Sequence, residues 1–258
     1  MTILCYHSIE PGWENSLGVE PDAFERQAAW LQKRRRVLPL SDALPRLDAT
    51  GRLPSDEAAL TFDDGFAALH EHALPVLTRT RLPATVFLVA QTLTPGGQAV
   101  DWVDNPGPKP LSTLTADQIL EMQDAGVDFQ SHSWAHRRLP ELTEAECVAD
   151  LRDSRELLSD LLGRAVTMLA YPRGLHSPHV RQAAARAGYT HAFALPEGRE
   201  QPDAYTIPRV GIYRGNGQQT LRIKAARPYL PVRTSDGYAR TAGAVKRAVS
   251  ALRRRSPR

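Results

Sequence analysis

Short apolar stretches alternate with amphipathic ones along most of this 258-residue chain, and that alternation limits the fold more than any other feature. Residues 3–9, 58–64, 84–90, 127–131, 167–171 and 191–195 read as buried strands, and residues 21–34, 66–80, 115–125, 143–162 and 176–187 read as helices between them. The expected class is α/β. With 42% apolar residues the chain can bury a large core, and barrels of this length commonly run as one unit. Helix punctuation agrees: Thr143 with Glu146 three positions on makes a capping box before an apolar face of Cys147, Leu151, Leu158 and Leu161, and Gly163 ends the run. No internal repeat or low-complexity segment is present.

The chemistry concentrates in two motifs. Thr61-Phe62-Asp63-Asp64-Gly65 puts two adjacent carboxylates at the C-terminal end of a strand, where Gly65 lets the chain turn sharply. Successive side chains on an extended backbone face opposite ways, so the two acids cannot grip one ion equally unless the strand end twists. One ligand and one base is the natural division. Close carboxylates repel, and a bound cation lowers the cost of keeping both ionised. His132-Ser133-Trp134-Ala135-His136 then supplies two imidazoles four residues apart at the end of another strand. Neutral imidazole suits zinc and neighbouring transition metals, and one Asp oxygen completes a set of three ligands that leaves positions open for water and substrate. Singly, Asp-Asp-Gly is an ordinary turn and His-x-x-x-His is two unrelated histidines. Together, at strand ends, they point to metal-assisted hydrolysis.

On these two motifs, and on the strand context from residue 3 to residue 211, the chain resembles the polysaccharide deacetylase family, the carbohydrate esterases with the nodulation-protein-B homology domain. The resemblance implies a distorted (β/α)7-type barrel. It implies removal of acetyl groups from N-acetylated, or in some members O-acetylated, carbohydrate. By the same resemblance Asp63 is the general base and Asp64, His132 and His136 bind a divalent metal, zinc first, with cobalt or nickel as alternatives. A metal-bound water is then the nucleophile.

Two departures from the family pattern matter. Most members carry the histidine that protonates the leaving amine in a late motif, and none follows Arg209 here. The branch that includes the poly-N-acetylglucosamine deacetylases looks circularly rearranged and carries it on an early Tyr-His strand, which Leu4-Cys5-Tyr6-His7 resembles. His7 is the expected acid. Secondly, many relatives read Arg-x-Pro-Tyr-Gly where this chain has Ala170-Tyr171-Pro172-Arg173-Gly174. The oxyanion contact from the backbone N–H survives at Arg173, whereas the cation that orients the base has to come from elsewhere, and Arg209 is the candidate. The Arg173 fork also matches a carboxylate or phosphate on a substrate. Tyr171, and Trp102 in the Gly/Pro-rich insertion at residues 92–112, are read as substrate-binding; Trp134 is read as packing.

Residues 1–221 are expected to form the catalytic barrel and residues 222–258 a basic tail, with eleven Lys and Arg against the single Asp236. A helix at 242–252 followed by Arg253-Arg254-Arg255 would suit contact with an anionic membrane surface, while no nucleic-acid motif accompanies the charge. Cys5 and Cys147 suggest no disulfide framework. The first strand begins almost at Met1 and no apolar run spans a bilayer, so a cytoplasmic location is expected. Two other readings stay open: a carbohydrate-binding barrel that has lost turnover, marked by a His7 remote from the metal ligands, and an amide or imide hydrolase acting on a non-sugar compound.

Overall fold

Strand and helix segments follow one another in a computed structural model that describes residues 2–50, 56–104, 110–196, 203–226, 228–235 and 237. In chain order they are β1 (Thr2–Tyr6), β2 (Ser8–Ile9), β3 (Gly18–Val19), α1 (Pro21–Arg34), β4 (Arg36–Val37), α2 (Leu40–Thr50), β5 (Glu57–Phe62), α3 (Leu74–Thr80), β6 (Ala84–Leu88), α4 (Ala116–Asp124), β7 (Asp128–Ser131), α5 (Glu144–Leu162), β8 (Met168–Ala170), α6 (Pro178–Arg186), β9 (His191–Ala194), β10 (Ile207–Pro208), β11 (Val210–Gly211), α7 (Gln218–Lys224) and α8 (Tyr229–Arg233). Short turns of other helix types precede α3 at Leu69–Ala73 and follow β8 at Pro172–Gly174.

All pairings in the large sheet are parallel, in the order β10-β9-β8-β7-β6-β5-β1-β11, with β4 added beside the start of β5. The two ends of that order are one run of chain. Ile207 and Pro208 pair with Phe193 and Ala194, while Val210 and Gly211 pair with Leu4 and Cys5, so the segment that holds Arg209 touches both edges and closes a barrel. Its backbone continues the link, with Arg209 N donating to Ala194 O and Ile212 N donating to Cys5 O.

The pleat sorts side chains to the two faces. Leu4, Tyr6, Leu60, Phe62, Val86, Leu88 and Phe129 join the core shared with the helices. Ile3, Ala59, Phe87, Met168, Ala170, Phe193 and Ile207 face inward and form a second, interior cluster. Leu40 and Leu44 of α2 complete it, so α2, which the sequence reading passed over, packs against the barrel's inner layer. Going up the barrel by the same parity, Ile3 and Ala59 are followed by Cys5 and Thr61, then by His7 and Asp63. The interior therefore turns from apolar to polar toward the C-terminal ends of the strands, the end at which parallel barrels carry their chemistry.

Most expected elements form within a few residues of their expected limits, α1 over its full expected length. The α5 cap is present as a reciprocal box between Thr143 and Glu146, and Gly163 closes the helix at φ 65°. Three places differ. The first strand breaks at His7 and resumes as β2, which pairs with β3. The helix expected from residue 66 starts later, because Phe66 forms an antiparallel bridge with Thr113 and packs with Trp13, Val89, Trp102 and Val103. Packing also continues past residue 221, since Leu221 and Ala225 are both buried. The helix expected at 242–252 and the arginine run after it lie outside the described residues. Cys5 and Cys147 are free and buried. Among the described residues no helix is long and apolar enough to cross a membrane.

Candidate active site

At the end of β5 the two acids part company. Asp63 keeps the inward direction set by the strand, and its N–H donates to Tyr6 O at 3.0 Å. Its carboxylate accepts Arg209 Nη1–H on Oδ1 and Nη2–H on Oδ2, both at 2.7 Å, and the Cys5 thiol on Oδ2 at 3.3 Å. Asp64 adopts φ 69°, which swings its carboxylate out of the strand alternation. Gly65 follows at φ +66°, where a Cβ would meet Leu88 Cδ2 at 2.6 Å, so the turn requires glycine. Asp64 Oδ1 lies 3.6 Å from His132 Nε2 and 3.3 Å from His136 Nε2, and it accepts the Trp102 indole N–H at 3.1 Å.

The histidines are held by backbone and second-layer bonds. His132 continues the inward parity of Gln130, and its Nδ1 lies 2.8 Å from Ala170 O. A carbonyl can only accept, so the proton sits on Nδ1 and the Nε2 lone pair faces Asp64. The chain then turns, with Ser133 at φ 70° and His136 at φ 52°. His136 N donates to Ser133 Oγ, and Trp134 N donates to Asp150 Oδ1 on α5. The His136 ring stacks on Trp102, with centroids 5.0 Å apart at 25°. Of the five non-glycine residues with positive φ among the described residues, Asp64, Ser133, His136 and Arg173 all stand in this site. Strain of this kind persists where surrounding bonds overdetermine the backbone.

His7, Asp63, Asp64, Trp102, His132, His136 and Arg173 line one cavity of about 210 Å³ together with Leu17, Leu195 and Tyr213. His7 is near: a ring nitrogen, an Asp63 oxygen and Cys5 Sγ lie within 4.8 Å of one another. Arg209 is fully buried beneath the cavity and reaches it through Asp63. Tyr171 is not brought to the site. Its side chain is buried in the core, donates its hydroxyl proton to Tyr205 O and packs on His176, because β8 turns that position toward the helices. Trp102 lines the cavity, but its N–H and one ring face are committed to Asp64 and His136. Trp134 is partly buried against the core. Cys5 and Tyr213 are the contributors that sequence reasoning missed. Parity offered the signal for Cys5, two residues before His7 on the same strand face, whereas Tyr213 stacks near His7 at 6.3 Å from a loop with no motif.

The electrostatics divide the acids further. Burial alone would raise the Asp63 carboxyl, but the Arg209 charge and its paired hydrogen bonds outweigh this and hold it well below the usual carboxylate range. Burial, then the Asp63 charge, pushes Asp64 up to about 8. Burial also pushes His7 down to about 4 and His136 down to about 2, and lowers His132, so all three rings are neutral. Asp64 Oδ1, His132 Nε2 and His136 Nε2 converge with neutral nitrogen donors and a carboxylate that has no cationic hydrogen-bond partner, which is the donor chemistry of a divalent-metal site. Cys5, His7 and Asp63 form a second cluster of ligand atoms, but Arg209 already supplies the positive charge at Asp63.

A carboxylate and two neutral imidazoles beside a second, ionised carboxylate are the parts of a metal-assisted hydrolase. Residues 50–192, more than half of the chain, match the family described as polysaccharide deacetylase, and the chain belongs to that family of metal-dependent hydrolases. YxkH of Bacillus subtilis (strain 168) is 29% identical over 220 residues, which are 83% of this chain and 72% of that protein. The poly-β-1,6-N-acetyl-D-glucosamine N-deacetylase of Staphylococcus epidermidis is 28% identical over 204 residues, 74% of this chain and 67% of that one. IcaB from Ammonifex degensii shares the fold with a TM-score of 0.73 at 22% identity, over 87% of this chain and 96% of that one.

Proposed function

We propose that this protein hydrolyses the acetamide of an N-acetylated carbohydrate, with Asp63 as general base, His7 as general acid and Asp64, His132 and His136 as the ligands of a zinc ion. The observation that carries the reading is the division of two adjacent acids between different partners, Asp63 with Arg209 and Asp64 with the two imidazoles. The name of the staphylococcal relative supports a chain containing N-acetylated hexosamine as the substrate class. When bound, the metal would polarise the acetyl carbonyl and lower the pKa of water.

Asp63 takes the proton of the attacking water while Arg209 holds its carboxylate in one orientation. The backbone N–H of Arg173 donates to the oxygen that gains charge as the acetyl carbon becomes tetrahedral. His7, neutral at rest, receives the proton that Asp63 took from the water and gives it to the sugar nitrogen as the C–N bond breaks, leaving acetate and a free amine. Its nearness to Asp63 supports turnover over a barrel that only binds sugar.

Acetate release from N-acetylglucosamine oligomers and from acetylated xylan, after chelation and readdition of zinc, cobalt or nickel, tests the reading. Asp63→Asn should lose roughly a hundredfold or more in turnover while retaining metal, and His132→Ala should lose both. Near-normal turnover of Asp63→Asn at saturating metal would remove Asp63 from the base role. No acetate from any substrate under any metal would overturn the whole assignment.

A further inference from the structure

We infer that the substrate carries an anionic group, a carboxylate or a phosphate, on or beside the sugar whose acetamide is cleaved, and that the Arg173 guanidinium reads it. The inference rests on the deacetylase reading above and names the substrate class for that same site.

Among the described residues two positive side chains serve this centre, and they are used differently. Arg209 is fully buried and spends both terminal nitrogens on Asp63. Arg173 is exposed at the cavity wall, and Nη2 donates to the backbone carbonyl of Trp102 at 2.9 Å. That carbonyl carries no formal charge, and among the described residues Arg173 enters no ion pair. The two carboxylates of the site are already engaged, one by Arg209 and one beside the imidazoles. Among the described residues the remaining wall, Leu17, Leu195 and Tyr213, offers no counter-charge. Among the described residues the charge that acts on Arg173 is the Asp64 carboxylate; a divalent cation held by Asp64 would take that charge over and oppose the Arg173 cation, so a neutral substrate would leave a standing cost. An anion on the substrate removes it.

The group is also held in place. Arg173 has φ 59° between Pro172 and Gly174, and a Cβ at Gly174 would lie 2.6 Å from the backbone nitrogen of Leu195. This turn is pressed against the segment after β9 and tethered to the Trp102 loop. A preorganised planar fork with free N–H groups matches carboxylate and phosphate oxygens, and fixing it in advance lowers the entropy lost on binding.

The test compares kcat/KM, with zinc restored, for three substrates: chitotriose, which is neutral, a disaccharide of N-acetylglucosamine and N-acetylmuramic acid, which carries a carboxylate, and 6-phosphorylated chitotriose. The expected result is a preference of about tenfold or more for at least one anionic member, expressed mainly in KM and weakened by added salt. R173Q should bring the ratio of anionic to neutral kcat/KM close to one, whatever it does to either rate, and R173K should keep part of it. Equal kcat/KM for all three overturns the inference and leaves the deacetylase reading standing. A preference that persists in R173Q also overturns it, and absence of acetate from all three sinks the deacetylase reading together with it. Should R173Q not fold, calorimetry of the wild-type protein with N-acetylmuramic acid, N-acetylglucosamine 6-phosphate and N-acetylglucosamine decides the matter, equal affinities overturning the inference.

Discussion

Arg209 grips Asp63 through two separate bonds of 2.7 Å, from Nη1 to Oδ1 and from Nη2 to Oδ2, with both side chains almost wholly shielded from water. The arginine stands at the residue where the barrel closes, between the pair that joins β9 and the pair that joins β1. Closing the barrel and orienting the acid are thus one structural event. Arg209→Gln leaves the Asp63 charge buried without its partner and is expected to cost about 3–5 kcal/mol. Thermal denaturation measures this. Lysine cannot fork across two oxygens, so Arg209→Lys should restore some stability and little turnover. If Arg209→Gln melts like the wild type, the pair contributes nothing to the fold.

Trp102 tests how far the metal ligands depend on outer support. Trp102→Phe keeps an aromatic ring to stack on His136 and deletes the N–H that Asp64 Oδ1 accepts. Loss of such a bond to a ligand typically lowers metal affinity about 10–100-fold. Calorimetric titration of the chelated protein with zinc reads it directly, and unchanged affinity would show that Asp64 is oriented by other contacts.

Proton release should accompany metal binding. Burial and the Asp63 charge push Asp64 up to about 8, so in the metal-free protein it is protonated at pH 7 and must lose that proton to act as a ligand. His136, pushed down to about 2, is already neutral there and releases none. The sign follows: affinity rises with pH up to about 8 and then levels off, with close to one proton released at pH 7 and fewer above 8. Titrations at each pH in buffers of different ionisation enthalpy count the protons. Release that stays constant through pH 9 would contradict a protonated Asp64.

The α5 cap isolates stability from chemistry. Thr143→Ala removes the acceptor for Glu146 N and breaks the reciprocal box, at a cost of about 1 kcal/mol. Denaturant unfolding should show this loss with kcat/KM unchanged, since the cap lies outside the cavity.

Sequence alone determined what local chemistry can determine. Hydrophobic periodicity marked most strands and helices, the Thr143 and Glu146 spacing marked the cap, and Asp63-Asp64-Gly65 with His132 and His136 marked a site, because each signal lies within a few residues. Elements whose reason is remote were missed. Helix α2 is interrupted in pattern by Pro45 and is fixed by what Leu40 and Leu44 meet inside the barrel, and the closing segment around Arg209 is two residues on each side, too short to show a period. Only the tertiary structure decided that Trp102 hydrogen-bonds Asp64, that Cys5 donates to Asp63 and that Tyr171 turns into the core. These depend on which side of a strand faces which neighbour across long stretches of chain. A single residue's type does not carry that information; barrel closure and strand parity do.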